Sequence, residues 1–166
     1  EAVPGIALRT TVMVGFPGEG ESHFRELLDY IRDARFEHLG CFVYSPEEGT
    51  PAFDLSGRVP PDVALERRGL VMEAQQEIAF ARARDLVGRT LDVIVDEAPE
   101  DGRDGVGRTR ADAPDVDAKV ALRGGGFRAG EIAEARVTEA LGYDLAAEAA
   151  PARRHAAGRA ALRVLR

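Results

Sequence analysis

The chain has 166 residues, of which 45% are hydrophobic, and 29 acidic residues against 22 basic ones give a net charge of −7. No apolar run approaches the ~18 residues that a membrane helix needs, so we expect no membrane partner. The single cysteine, Cys41, excludes an internal disulfide and any metal or cluster site made of cysteines alone. This cysteine content fits a cytoplasmic protein.

The first part of the chain has the pattern of a parallel α/β unit. Residues 6–14 are β-branched and mostly apolar, which predicts a strand buried on both faces. Helical spacing of apolar residues predicts a helix over about 22–34, on Phe24, Leu27, Leu28 and Ile31. Residues 39–45 predict a second strand, with Cys41 as a small buried residue. A strand, a helix and a strand in this order indicate a right-handed crossover of a parallel sheet.

A linker over residues 54–60 precedes a long predicted helix. Pro60 and Pro61 suit the start of this helix, and Val87-Gly88 suits its end. A loose apolar stripe marks its expected buried face: Val63, Leu70, Ala74, Ile78 and Ala81.

Beyond Gly88 apolar and acidic residues alternate, and turns rich in Gly and Asp separate short runs. This pattern predicts a small antiparallel barrel. Its candidate strands are 90–97, 105–111, 116–122, 131–138 and a piece near 142–146. We therefore divide the chain into residues 1–84, residues 85–148 and an arginine-rich tail at 149–166.

The charge is uneven between these parts. Residues 85–148 carry 15 acidic and 8 basic residues, whereas residues 151–166 carry five arginines and no acidic residue. The acidic block is a poor match for a phosphate backbone and a good match for a basic protein. The arginines of the tail suit contacts with phosphate groups, so a partner that carries phosphates stays an alternative.

One candidate ligand loop, Gly15-Phe16-Pro17-Gly18-Glu19, lies between the first predicted strand and helix. Backbone N–H groups at such a junction can bind an anion or a polar ligand, and a plain structural turn is the alternative. The segment is neither a Walker loop nor a dinucleotide fingerprint. Glu19 can serve the dipole of the helix or a ligand. Arg9, on an otherwise apolar strand, must meet a carboxylate, a ligand or solvent.

A second set of polar residues follows the second predicted strand. Tyr44 and Ser45 lie at its carboxyl end, the face on which barrel enzymes build their sites. Glu47 and Glu48 come next, on a loop whose simplest interpretation is a solvated surface. His23 and His38 have no neighbours at metal-ligand spacing, so we expect surface histidines and no metal site.

Three separated segments resemble the RimO-type radical-SAM methylthiotransferases, in the order in which that family has them. They are residues 8–19 (LRTTVMVGFPGE), residues 44–52 (YSPEEGTPA) and residues 107–117 (GRTRADAPDVD), the last being similar to the TRAM domain of the family. Two positions depart from the family pattern: Gly20 stands for its threonine, and Ala118 stands for its glycine. The resemblance covers about residues 6–148.

The resemblance implies a partial α/β barrel, with two parallel strands and two helices of a TIM-like radical-SAM barrel, followed by a small all-β, OB-like TRAM barrel. It implies two [4Fe–4S] clusters and S-adenosylmethionine in the full-length enzyme. The cluster cysteines of the family are absent from this chain, so we expect the chain alone to be inactive and to hold no catalytic residue. Residues expected at S-adenosylmethionine are Arg9, Gly15, Phe16, Glu19 and Tyr44. Residues expected at the substrate are Ser45, Glu47, Glu48, Arg108 and Asp115.

The implied reaction adds a methylthio group to the β-carbon of an aspartate in a basic small-subunit ribosomal protein at the decoding site, with the TRAM domain recognising that protein. One alternative is a tRNA-modifying enzyme of the MiaB type, in which the loop usually reads Ser-Pro-Arg-Pro-Gly-Thr. Glu47 and Glu48 disfavour that alternative, because two glutamates suit a basic protein and an arginine suits a polyanion. Another alternative is a non-catalytic TRAM binding module.

Overall fold

The computed structural model describes residue 3, residues 5–100 and residues 103–150. The expected tail from residue 151 onward lies outside these residues. The elements, in chain order, are β1 (Arg9–Val14), α1 (Glu21–Ala34), β2 (His38–Val43), α2 (Pro61–Leu86), β3 (Thr90–Glu97), β4 (Gly105–Thr109), β5 (Val120–Arg123), β6 (Ile132–Leu141) and β7 (Asp144–Ala149).

The first half is a two-stranded parallel sheet covered on one face by two helices. β1 and β2 pair in register from Arg9 opposite His38 to Val14 opposite Val43. The core between this sheet and α1 and α2 consists of Val14, Phe24, Ile31, Leu39, Cys41, Val71 and Ile78. The predicted crossover is therefore present, because β1, α1 and β2 follow one another with both strands pointing the same way.

The opposite face of this sheet carries exposed apolar side chains. Met13 and Phe42, paired neighbours in the register, are 52% and 63% exposed. Alternate residues of a strand point to opposite faces, so the helices cover Val12 and Cys41 and leave Met13 and Phe42 uncovered. This half of the described chain thus has an apolar face without a cover.

The buried face of helix α2 matches the predicted stripe only in part: Ala74 and Ile78 are buried as expected, but Leu70 is not. Its buried residues include Ala64, Val71, Ala74 and Ile78, whereas Leu70 is 41% exposed. Because one residue along a helix turns the side chain by about 100°, Val71 and Leu70 point in different directions. The true buried row also contains the polar residues Arg67 and Gln75, which a search for apolar spacing passes over.

The second half is a closed five-stranded barrel in the order β3-β4-β5-β7-β6. Four of its strand pairs are antiparallel, but β5 and β7 are parallel. The expectation of a purely antiparallel barrel is therefore wrong at this pair. The reason is topological: the β6–β7 hairpin places β7 between β6 and β5, with β7 running in the direction of β5. The barrel interior is filled mainly by apolar side chains: Val93, Val95, Val120, Leu122, Phe127, Ala135, Val137, Leu145 and Ala147.

The strand expected at 116–122 begins only at Val120, because the residues before it form a tight loop. Asp115 has a φ of 61°, a left-handed conformation that aspartate tolerates better than most residues. The carboxylate of Asp112 accepts a hydrogen bond from the Thr109 N–H, and that of Asp117 accepts one from the Ala113 N–H. Such side-chain bonds to nearby backbone stabilise turns rather than strands.

Two further features complete the fold. Ala83 of α2 is buried in the barrel core, so the long helix joins the two halves. Within the described residues, neither helix has both the length and the apolar character needed to cross a lipid bilayer.

Candidate functional site

The carboxyl ends of β1 and β2 form a rim on which two loops meet. The loop after β1 approaches the loop after β2, and the Gly18 N–H donates to the Gly57 carbonyl at 2.9 Å. The rings of Phe16 and Tyr44 pack edge to face, with centroids 5.1 Å apart. The structure therefore brings together four of the residues predicted at S-adenosylmethionine: Gly15, Phe16, Glu19 and Tyr44.

Glu19 has both carboxylate oxygens engaged by the protein. Oε2 accepts a hydrogen bond from the Gly15 N–H at 3.0 Å, and Oε1 accepts one from Nη1 of Arg67 at 2.7 Å. The same Arg67 nitrogen also donates to the Glu19 carbonyl at 3.1 Å. The Glu19 carboxylate thus joins the loop after β1 to Arg67 of α2. The Gly15 N–H is already used in this contact.

Gly15 is required by its surroundings as well as by its conformation. Its φ is +79°, and a Cβ at this position would lie 2.7 Å from Cβ of Ala64. Real Cβ atoms do not approach so closely, and a left-handed φ is strained for other residues. The close contact of the loop with α2 therefore depends on this glycine and on the small side chain of Ala64.

Tyr44 contributes the one orphaned polar atom of the rim within the described residues. Its hydroxyl is buried and has no hydrogen-bond partner there. A buried hydroxyl without a partner carries a cost of roughly 1–3 kcal/mol, so such a group is suited to a ligand that supplies the missing bond. Phe16 beside it is 41% exposed and offers a ring to the same region.

The loop after Tyr44 presents exposed carboxylates. Thr50 donates its hydroxyl to the Glu47 carbonyl at 2.7 Å, and Ser45 donates to Glu47 Oε1 at 3.4 Å. Glu47 and Glu48 are exposed and have no ion-pair partner among the described residues. The loop thus holds its shape through Thr50 and leaves two negative charges for a cationic ligand.

The remaining predicted site residues lie elsewhere. Arg9 is at the amino end of β1, where its guanidinium pairs with Asp117 of the barrel, as one of its sequence alternatives proposed. Arg108 pairs with Asp96 at 3.3 Å, and Arg108 and Asp115 line a cavity of about 170 Å³ on the barrel. The predicted substrate residues therefore form two separate groups, one on the rim and one on the barrel.

His38 is not the surface residue that its spacing predicted. Its side chain is 18% exposed and lies between Asp112 and Asp117, whose oxygens are 3.7 Å and 3.4 Å from its two ring nitrogens. The two aspartates are more than 70 positions away in the chain, so no local motif could reveal them.

The sequence pattern did not indicate two buried polar positions on α2. Arg67 is 8% exposed and holds Glu19, with its guanidinium over the Phe24 ring at 5.2 Å. Gln75 donates from Nε2 to the Phe36 carbonyl at 3.0 Å, and its buried Oε1 has no partner among the described residues. The available signal was a polar residue at helical spacing from buried apolar ones, since a buried arginine requires a carboxylate.

Cys41 has the properties of a packing residue. Burial raises the pKa of the Cys41 thiol; the nearby positive charge of Arg68 lowers it and the negative charge of Glu19 raises it, both by less than burial. A thiol of this kind stays neutral at neutral pH, and only the thiolate is a good nucleophile or metal ligand.

Both halves of the chain are similar to known proteins. Residues 87–150 match the TRAM domain family. The chain is 45% identical over 152 residues to the ribosomal protein uS12 methylthiotransferase RimO of Synechococcus sp. (strain RCC307), covering 89% of this chain and 31% of that protein. It is 46% identical over 146 residues to the protein of the same name from Methylococcus capsulatus (strain Bath), covering 87% and 33%. It thus spans about a third of the length of these curated relatives.

The closed barrel coincides with the residues that match the TRAM domain family, and a long helix joins it to an α/β unit that has its polar loops at the carboxyl ends of its strands. Over nearly nine tenths of its length the chain is homologous to RimO-type methylthiotransferases, and it corresponds to about a third of such a protein.

Proposed function

We propose that the chain is the part of a radical-SAM methylthiotransferase that completes the α/β barrel and carries the TRAM domain. The whole enzyme would add a methylthio group to the β-carbon of an aspartate in a basic small-subunit ribosomal protein at the decoding site, in the cytoplasm. The observation that carries this proposal is the 45% identity to a named uS12 methylthiotransferase over 152 residues, which span both halves of the chain. The division into residues 1–84, 85–148 and 149–166 belongs to the proposal.

The uncovered sheet face supports a larger barrel around β1 and β2. In the described chain each of these strands has one strand neighbour, and their free face carries Met13 and Phe42. Further parallel strands on both sides would pair the open edges and would enclose this face as a barrel interior, where apolar side chains belong.

The rim fits S-adenosylmethionine in part. Phe16 and Tyr44 offer a ring and an orphaned hydroxyl, whereas both Glu19 oxygens are already engaged, so Glu19 would position the loop rather than bind the cofactor. When bound to an iron–sulfur cluster, this cofactor supplies a radical that removes an unactivated hydrogen. The residues of this chain do not fit either cluster, because its one cysteine, Cys41, is buried with a raised pKa.

Two acidic surfaces support a basic protein as the substrate. Glu47 and Glu48 are free on the rim, and Asp92 and Glu134 lie directly opposite each other on the outer face of the barrel, without an ion-pair partner among the described residues. Like charges opposite each other on a sheet are destabilising, and a cationic polypeptide would relieve that repulsion. The five arginines of residues 151–166 are the feature that favours tRNA instead.

A chimera tests the activity. The matching third of the Synechococcus relative would be replaced by this chain, and its ribosomal protein would be analysed by mass spectrometry for a methylthio group on aspartate. We expect a modified aspartate, and we expect a lower turnover number in the Tyr44→Phe chimera. A folded chimera that loads its clusters but leaves the protein unmodified, or that modifies tRNA, would refute the proposal.

A binding experiment tests the substrate surfaces of the chain itself. The chain would be titrated with the basic ribosomal protein and, separately, with tRNA at two salt concentrations. We expect stronger binding of the protein, weakened by Glu47→Gln with Glu48→Gln and left unchanged by Glu77→Gln on the exposed side of α2. Stronger binding of tRNA would favour the alternative substrate.

A further inference from the structure

A group of metal-ligating side chains lies at the opposite end of the sheet from the rim. His38 is the first residue of β2, and Asp112 and Asp117 belong to the loop between β4 and β5. One ligand atom from each lies within 4.8 Å of the other two. The three side chains are 18%, 11% and 7% exposed, so the group is mostly shielded from solvent.

Each of the three residues has its other polar atom held by the protein. His38 Nε2 is 3.0 Å from the Ala111 carbonyl, and because a carbonyl only accepts, Nε2 must carry the proton. Asp112 Oδ2 accepts from the Thr109 hydroxyl at 2.5 Å, and Asp117 Oδ2 accepts from the Ala113 N–H at 2.7 Å. Metal-binding histidines characteristically donate their second N–H to a carbonyl or carboxylate, and metal-binding carboxylates are themselves hydrogen-bonded.

Three atoms are left without a hydrogen bond among the described residues: Nδ1 of His38 and Oδ1 of each aspartate. Oδ1 of Asp117 lies 3.4 Å from Nδ1, whereas Oδ1 of Asp112 lies 3.7 Å from the other ring nitrogen, Nε2. Nδ1 lies 3.4 Å from Asp117 Oδ1, but the contact is an approach of two charged or polar groups and not a hydrogen bond. In a neutral ring protonated on Nε2, Nδ1 holds a lone pair, so two acceptor atoms lie 3.4 Å apart and a cation between them would satisfy both.

The charge balance around the group also favours a cation. Arg9 pairs with Asp117 through Oδ2, which leaves Oδ1 free. Asp112 has no lysine or arginine partner among the described residues, and its close ionisable neighbours there are His38 and Asp117. A shielded carboxylate without a positive partner is costly, and beside a neutral His38 ring a bound cation would supply the positive charge.

We propose that His38, Asp112 and Asp117 bind a divalent metal ion, with Zn²⁺ as the best match. Zn²⁺ takes imidazole nitrogen and carboxylate oxygen at about 2.0–2.2 Å in tetrahedral geometry, which places neighbouring ligand atoms roughly 3.3 Å apart. The distance of 3.4 Å between Nδ1 and Asp117 Oδ1 has this spacing. The fourth position is left for water. The ion would join β2 to the barrel loop, and its binding does not depend on the methylthiotransferase proposal.

Isothermal titration of the untagged chain with Zn²⁺ tests the site, with Mg²⁺ as the comparison ion. We expect one Zn²⁺ per chain, at least about tenfold tighter binding than Mg²⁺, and a rise in the thermal midpoint that a chelator reverses. His38→Gln and Asp112→Asn keep the shape and some hydrogen bonds of the loop, and each should weaken Zn²⁺ binding at least about tenfold. His23→Ala, which removes an exposed imidazole, should leave Zn²⁺ binding unchanged.

Nitrogen-15 NMR of the histidine rings supplies a readout that folding defects would not imitate. We expect Zn²⁺ to shift Nδ1 of His38 to the value of a coordinated nitrogen while Nε2 keeps its proton. The proposal is overturned if the Nδ1 signal of His38 does not change when Zn²⁺ is added. It is equally overturned if folded His38→Gln binds Zn²⁺ as tightly as the unaltered chain, or if the unaltered chain binds no Zn²⁺.

Discussion

The two halves of the molecule reach stability in different ways. The TRAM barrel is closed: each of its five strands has two neighbours, and its core is enclosed on all sides. The α/β half has two strands and a free face with Met13 and Phe42 exposed, and its loops are fixed by buried polar contacts such as the bond between Arg67 and Glu19. The barrel thus has the features of a finished unit, whereas the α/β half has those of a part that relies on neighbours.

The largest loss of stability should come from a cavity in the barrel core. Leu122 is fully buried between the walls, so Leu122→Ala should lower the free energy of unfolding by about 2–5 kcal/mol through a lost side chain and a cavity. Urea denaturation combined with amide exchange would measure the loss. Leu141→Ala, on a side chain that is 45% exposed, is the control. Equal losses for both variants would contradict a tightly packed barrel.

A somewhat smaller loss of stability is expected when the ion pair between Arg67 and Glu19 in the α/β half is broken. Arg67→Leu leaves the shielded Glu19 carboxylate without its partner, which should cost about 3 kcal/mol and release the loop around Gly15. Amide exchange of residues 15–20 would show faster opening. Arg25→Leu removes an exposed helix pair with Glu21 and should cost less than about 0.5 kcal/mol. If the amide exchange of residues 15–20 is unchanged in Arg67→Leu, the Arg67–Glu19 pair does not hold the loop.

A third test compares two substitutions on the barrel wall whose effects on stability should have opposite signs. Asp92 faces Glu134, and Arg136 faces Glu148, across neighbouring strands. Glu134→Lys creates an opposite-charge pair and should stabilise by about 0.5 kcal/mol, whereas Glu148→Lys creates a like-charge pair and should destabilise by a similar amount. Thermal denaturation at low salt measures both. Shifts of the same sign would contradict the register of the strands.

The smallest effect concerns pH. Because burial raises the pKa of Cys41, the neutral thiol is favoured in the folded state, and its stabilising contribution is complete below the unfolded thiol pKa of about 8.5. The contribution is lost as the pH rises through the higher pKa of the folded state. The free energies of unfolding of the unaltered chain and of Cys41→Ala should therefore differ by a constant amount between pH 6 and 8. Above pH 8 the two free energies should converge. A difference that already changes near pH 7 would contradict this assignment.

The sequence revealed those parts of the molecule that depend on local periodicity. The helix of α1 follows from the spacing of Phe24 and Ile31, and the barrel strands follow from the alternation around Val93 and Val95. The parallel pairing of β5 with β7 could not be foreseen, because it depends on which distant strands meet when the barrel closes.

The site was predictable to the same degree. Gly15, Phe16 and Tyr44 meet on the rim because parallel strands end at the same edge. The role of Glu19 was left open between two alternatives, and only the position of Arg67, 48 residues later, shows that both of its oxygens are engaged. Likewise, nothing near His38 in the chain indicates Asp112 and Asp117, since the loop that carries them is placed by the fold of the barrel.

The position of β7 has a consequence for how the barrel forms. This last strand pairs with both β5 and β6. A chain shortened before Asp144 would therefore have an open sheet with two unpaired edge strands instead of a closed barrel. During synthesis the barrel therefore has to wait for residues 144–149 to emerge. Until then the unpaired strands are open to association with other chains.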